Sequence, residues 1–210
     1  MTERGMIFNA EMVRAVLNGR KTQTRRIMKV QPESAEFESR FIIDSTKRAE
    51  IGKWCWAEPG VFVNPRRSAL FSCPFGAIGD RLWVRETFMN LKGTGIESTT
   101  GQFEGFAYRA DTPPGSYGDM ARKDYGLKWT PSIHMPRWAS RITLEITGVR
   151  VERLQDISES DCAAEGLGSP FLRDYKKPKF AALWQSIYGA DSWQADPWVW
   201  VIEFKRVRGE

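Results

Sequence analysis

Residues 20–29 run RKTQTRRIMK and hold Arg20, Lys21, Arg25, Arg26 and Lys29 without a single acid. The formal net charge of the chain is +5, so these cations equal the whole excess and the remaining charges balance. A cationic run this dense suits a phosphate-bearing partner. A solvated strand with alternating arginines is the blander reading of the same residues. A second grouping lies in HMPRWASR, where Trp138 stands between Arg137 and Arg141. An aromatic ring flanked by guanidinium groups could stack a base while the cations hold phosphate, or it could anchor a loop.

Other chemistry-bearing residue types are sparse. Cys55, Cys73 and Cys162 are far apart and form no CxxC pair. That argues against a disulfide framework and against a zinc knuckle, and leaves them as small core residues. His134 is the lone histidine, a residue more suited here to a structural role. The basic run is not a Walker A loop, because Arg20 and Ala15 occupy the two positions where that motif needs glycine. No metal and no cofactor is expected.

Several elements must position these groups. Asn9 suits a helix N-cap, Met12, Val13, Val16 and Leu17 form an apolar stripe, and Gly19 suits the left-handed position after the helix. Thr22–Met28 then reads as a strand. Short strand-like pieces are expected at Arg40–Ile43 and Gly60–Val63, and a clear strand at Arg81–Glu86 after the Gly79-Asp80 turn. Alternation from Ile142 to Ile146 marks another strand, continued by Val149 and Val151 after Gly148. A short helix follows, capped by Ser158 with Asp161 in the capping-box position and ended by Gly166. Lys179–Tyr188 is helical, with Phe180, Leu183, Trp184 and Ile187 on one face. Trp198–Val207 is apolar on both faces, as a central strand requires.

This order has no βαβ rhythm and favours an α+β fold with a small mixed or closed sheet. The length suits a single domain over residues 1–210, with two long insertions at about 31–75 and 90–130. No apolar run of about 18 residues occurs, so no membrane span is expected. The N-terminus lacks the apolar core of a signal peptide, and a cytoplasmic location follows as the default.

Three stretches together resemble the ASCH domain, a PUA-like β-barrel: the helix ending in GRKTQTRR, the strand entered by GDRLWVRE, and the WVWVIEF strand after ISESDCAAEG. MPRWASRITLEITGVRVERLQDIS is most similar to the phage- and prophage-borne branch. The resemblance implies a small mixed barrel with flanking helices and a pocket for RNA or a modified nucleoside. Some members with a similar GRKTxT turn hydrolyse N4-acetylcytidine, and others are ribonucleases. By that likeness Lys21 is the base, Thr24 the nucleophile and Glu165 the acid, with Arg20, Arg25, Arg26, Arg137, Trp138 and Arg141 available to hold the ligand.

The residues permit those roles. Neighbouring cations and partial burial both favour a neutral Lys21 amine, which could take the Thr24 proton. Positions 21 and 24 would face opposite ways in a regular strand, so Lys21 must still lie in the turn. Glu165 in the last turn of its helix opposes the helix dipole, which suits an acid. A phosphate-binding Lys21 and an exposed Glu165 are the alternatives. At the level of function, a nucleoside hydrolase, a single-stranded RNA-binding module, a metal-independent ribonuclease and a structural phage role all remain open.

Overall fold

The computed structural model describes residues 1–61, 65–94, 105–168 and 175–207. In chain order the elements are β1 (Glu3–Ile7), α1 (Ala10–Leu17), β2 (Gln23–Ile27), β3 (Glu38–Phe41), β4 (Trp54–Ala57), β5 (Arg81–Arg85), β6 (Phe88–Asn90), β7 (Phe106–Tyr108), α2 (Tyr117–Asp124), β8 (Thr143–Arg153), α3 (Glu159–Ala164), α4 (Lys176–Tyr188) and β9 (Trp198–Arg206). The fold is α+β. Five strands form one sheet in the order β1-β5-β8-β9-β2, parallel only between β1 and β5, and two hairpins stand apart as β3-β4 and β6-β7.

Strand β9 explains the two layers. Trp200, Ile202 and Phe204 enter the core under α1, where Val13 and Val16 meet Met6, Phe8, Leu144 and Ile146. Val199 and Val201 face the other way, onto Leu154, Ile157, Cys162, Phe180 and Trp184 from the α3–α4 side. A strand apolar on both faces is central because each face has a layer to bury it. The β3-β4 hairpin adds Trp56 to the first core. The β6-β7 hairpin builds a smaller core of its own from Phe88, Phe106, Tyr108, Met135 and Ala139.

Local signals were obeyed where capping chemistry was explicit. Asn9 Oδ1 accepts from the Met12 amide at 2.8 Å, and Gly19 takes φ +69° after α1. Ser158 and Asp161 form the capping box of α3, and Gly166 ends it at φ +97°. A register shift in β8 falls between Ile146 and Gly148. A Cβ at Gly148 would lie 2.6 Å from Glu203 Oε2, so a larger residue at the irregularity would push the Glu203 carboxylate aside.

Several elements differ from the expectation. β1 and β4 were not foreseen: β1 carries exposed residues at all but one position and gains its place by pairing with β5. The strand expected at Gly60–Val63 runs into residues 62–64, outside the described residues. α4 begins at Lys176, three residues before the expected start, and the Glu159 carboxylate accepts from the Lys176 amide at 2.8 Å. The second insertion is folded in its described parts, as β6, β7 and α2, while residues 95–104 lie outside them. Among the described residues no helix is long and apolar enough to cross a membrane.

Candidate functional site

Lys21 leaves the turn after α1 before β2 begins. Its amide donates to the Ala15 carbonyl at 3.0 Å, and it forms an isolated antiparallel bridge with Glu165 just past α3. This bridge ties the two ends of α1 and α3 together. Lys21 Nζ lies 2.5 Å from Glu165 Oε2 and 3.0 Å from the Glu165 carbonyl, with the two side chains 1% and 5% exposed. The ammonium also faces the Phe8 ring at 5.9 Å, on the α1 side of the sheet. Burial pushes the lysine's pKa below its ordinary value. Glu165 pulls it back up, and the Arg26 and Arg25 charges depress it further.

Strand alternation sorts the next residues. Gln23 and Arg25 pair with Glu203 and Val201, on the face that meets α3 and α4, while Thr24 pairs with Ile202 on the α1 face. Because Lys21 precedes the strand, alternation does not bind it, and its amine lies toward Phe8 on the side that Thr24 shares. Thr24 is buried and, with Glu165, lines a narrow cavity of about 20 Å³ between α1 and α4. That volume admits about one water. Among the described contacts none joins the Thr24 hydroxyl to Lys21 Nζ. A larger cavity of about 320 Å³ shares Met12, Glu165 and Leu183 with the narrow one and has Arg14 and Arg20 in its wall.

Arg25 organises the carboxylates. Its side chain is fully buried, with Nη1 3.4 Å from Glu165 Oε1 and Nη2 3.0 Å from Glu152 Oε2 and 3.3 Å from Asp161 Oδ2. Gln23 donates to the Asp161 carbonyl and to its carboxylate, both at 3.1 Å. Arg150 closes the network through Asp161 at 3.0 Å and through Glu152 and Glu203. Asp161 and Glu165 are four apart on one helical face, and Gln23 and Arg25 are two apart on one strand face. That pairing of a helical and a strand period was the unread signal for Gln23, Glu152, Asp161 and Arg150.

The cationic run is therefore not one surface patch. Lys21 and Arg25 are buried and matched by carboxylates, while Arg20 and Lys29 are exposed. Arg20 donates to the Gly166 carbonyl at 2.9 Å at the rim of the larger cavity. Arg26 donates to the Ile7 carbonyl at 2.7 Å, bridging the two edge strands β1 and β2.

The second grouping sits apart from Lys21, around the β6-β7 core. Arg137 makes a two-pronged pair with Glu3, 2.8 Å at each contact. Arg141 spans Glu86, at 2.9 and 3.1 Å, and Asp111, with its guanidinium 4.0 Å over the Tyr108 ring. Trp138 is 63% exposed and leans on Phe106, ring centroids 5.5 Å apart. Both flanking arginines are thus matched by acids, and only the tryptophan presents a free face. His134 is exposed in a short 3-10 turn. Among the described residues no group of His, Cys, Asp and Glu side chains is arranged to hold a metal. Comparison with protein-family models, with curated proteins and with solved structures returns no match.

Proposed function

We propose that the chain is a PUA-like, ASCH-type cytoplasmic protein that binds a modified pyrimidine nucleoside and hydrolyses its N4-acyl group at the Lys21–Glu165 pair. The observation that carries this reading is the buried lysine held 2.5 Å from a carboxylate at the wall of a cavity of about 320 Å³. That volume lies at the lower end of small-molecule pockets and suits one nucleoside better than a strand of RNA. Backbone pairing does not close the five-stranded sheet, and the Arg26 link between its edge strands β1 and β2 is what supports the PUA-like reading.

The pair is suited to acid–base work. Moving one proton from the Lys21 ammonium to Glu165 leaves the neutral amine that burial of the lysine favours. Thr24 lines the narrow cavity and not the larger one, so the acyl group must reach past Glu165, which both share. There the amine takes the Thr24 proton as its hydroxyl attacks the acyl carbon. The carbon–nitrogen bond breaks as Glu165 returns its proton to the leaving amine, giving an acyl ester on Thr24 and free cytidine. The Lys21 ammonium then passes its proton back to Glu165, and the neutral amine takes a proton from water as the water oxygen attacks the ester. Glu165 protonates the departing Thr24 oxygen, releasing the carboxylic acid and restoring both the ion pair and Thr24. The 20 Å³ cavity shared by Thr24 and Glu165 supports a place for that water.

Incubation with N4-acetylcytidine, with cytidine followed by chromatography, tests the reading. The wild type should release cytidine and a folded Thr24→Ala variant should not. Undiminished release by that variant would remove the nucleophile.

A further inference from the structure

The wall of the larger cavity carries two guanidinium groups whose situation differs from that of the acid-matched arginines at the sites described. Arg25, Arg137, Arg141 and Arg150 each have a carboxylate partner. Arg14 and Arg20 have none among the described residues. Arg14 Nη1 donates to the Ala110 carbonyl at 3.0 Å, and Arg20 Nη1 donates to the Gly166 carbonyl at 2.9 Å. One neutral acceptor fixes each guanidinium in position and leaves its charge and its other donors unused.

Both groups line the same cavity of about 320 Å³. Arg20 lies just past α1, its amide bonded to the Ala15 carbonyl at 2.8 Å, and Arg14 lies on α1 itself. The acids on that wall do not cancel them equally. Glu165 is already matched by Lys21 and Arg25, which leaves Glu11 as the one acid of the wall without a cation. The free charge of the wall is therefore positive.

We propose that this cavity takes a nucleoside monophosphate, with Arg14 and Arg20 holding the phosphate and Glu11 accepting hydrogen bonds from the ribose hydroxyls. Guanidinium groups match phosphate oxygens in charge and geometry, and a carboxylate is a natural acceptor for sugar hydroxyls. The nucleoside part of this assignment rests on the function proposed above, and the phosphate part rests on the unmatched arginines. The preferred substrate is then the acylated nucleotide rather than the free nucleoside.

Calorimetric titration with cytidine and with cytidine 5′-monophosphate separates the two, because it requires no turnover. The monophosphate should bind at least about tenfold more tightly, equivalent to about 1.4 kcal/mol. That gain should shrink at high salt, and it should vanish in an Arg14→Gln/Arg20→Gln double variant. Both substitutions remove only a hydrogen bond to a backbone carbonyl, and circular dichroism checks that the double variant folds. Should it not fold, the salt dependence of the wild type decides alone. Equal affinity for the two ligands, binding of neither, a gain that survives the double substitution, or a gain seen only with RNA oligomers would each overturn the proposal. Phosphate-dependent binding without hydrolysis of N4-acetylcytidine would remove the hydrolase and leave the phosphate site. Hydrolysis without a phosphate gain would do the reverse.

Discussion

Lys21 Nζ stands 2.5 Å from Glu165 Oε2 across 144 residues of sequence, and both side chains are buried. The contact joins the turn after α1 to the end of α3, so it is both a structural clasp and the chemical centre of the proposed site. Removing one partner of a buried pair leaves an uncompensated charge, at a cost of about 3–5 kcal/mol. Glu165→Leu should therefore lower the unfolding free energy by about that much. Lys21→Met combined with Glu165→Leu should restore much of it. Denaturant titration of the single and double variants checks this, and additive losses would contradict it.

Arg25 poses a sharper case. Its fully buried guanidinium serves Glu152, Asp161 and Glu165 together. Arg25→Lys keeps the charge but not the planar fork that reaches three carboxylates. The lysine variant should lose nearly as much stability as Arg25→Met, about 3 kcal/mol or more. A lysine variant as stable as the wild type would show that charge alone suffices.

Gly166 is constrained from two sides. Its φ of +97° disfavours any side chain, and a Cβ there would lie 2.9 Å from Ala15 Cβ and 3.2 Å from Lys21 Cβ. Gly166→Ala should cost about 1–3 kcal/mol by strain and displacement. Because Lys21 is one of the two neighbours that must give way, turnover should fall more than stability alone explains. Thermal melting and a turnover assay below the melting range separate the two effects.

Asp161 supplies a pH dependence. Partial burial alone would raise its pKa, but the Ser158 hydrogen bonds, the Arg25 charge and the Gln23 amide bring it below the ordinary aspartate value. A carboxyl with a lowered folded pKa stabilises fully above its unfolded pKa of about 4, and that contribution is lost as pH falls through the lowered value. The gap in urea midpoint between wild type and Asp161→Asn should be wide near neutral pH and narrow in acid. The same gap at both would contradict the assignment.

Much of this architecture was legible in the residues. The cap of α1, the capping box of α3, the glycine stops and the double-faced β9 rest on local chemistry that the fold does not override. β1 was hidden because an edge strand with one buried residue has no apolar alternation to read. The basic run showed its charge but not its surroundings. What divides buried Lys21 and Arg25 from exposed Arg20 and Lys29 is the approach of α3, more than a hundred residues away, which brings Asp161 and Glu165 to the strand. Such matching across sequence is visible only as two compatible periods, and nothing local says that they meet. The same holds for Arg137 and Arg141, whose acids Glu3, Glu86 and Asp111 come from β1, the residue after β5 and the second insertion.

The most direct measurement is the rate of cytidine release from N4-acetylcytidine across a range of pH, corrected for the uncatalysed reaction, with Lys21→Met alongside. If the buried amine is the base, its lowered pKa places the rising limb of activity below the ordinary lysine value of about 10.4. The wild type is expected to release cytidine faster as pH rises through that limb, and a folded Lys21→Met variant is expected to release none. No release by the wild type, or release by Lys21→Met at the wild-type rate, would contradict the account.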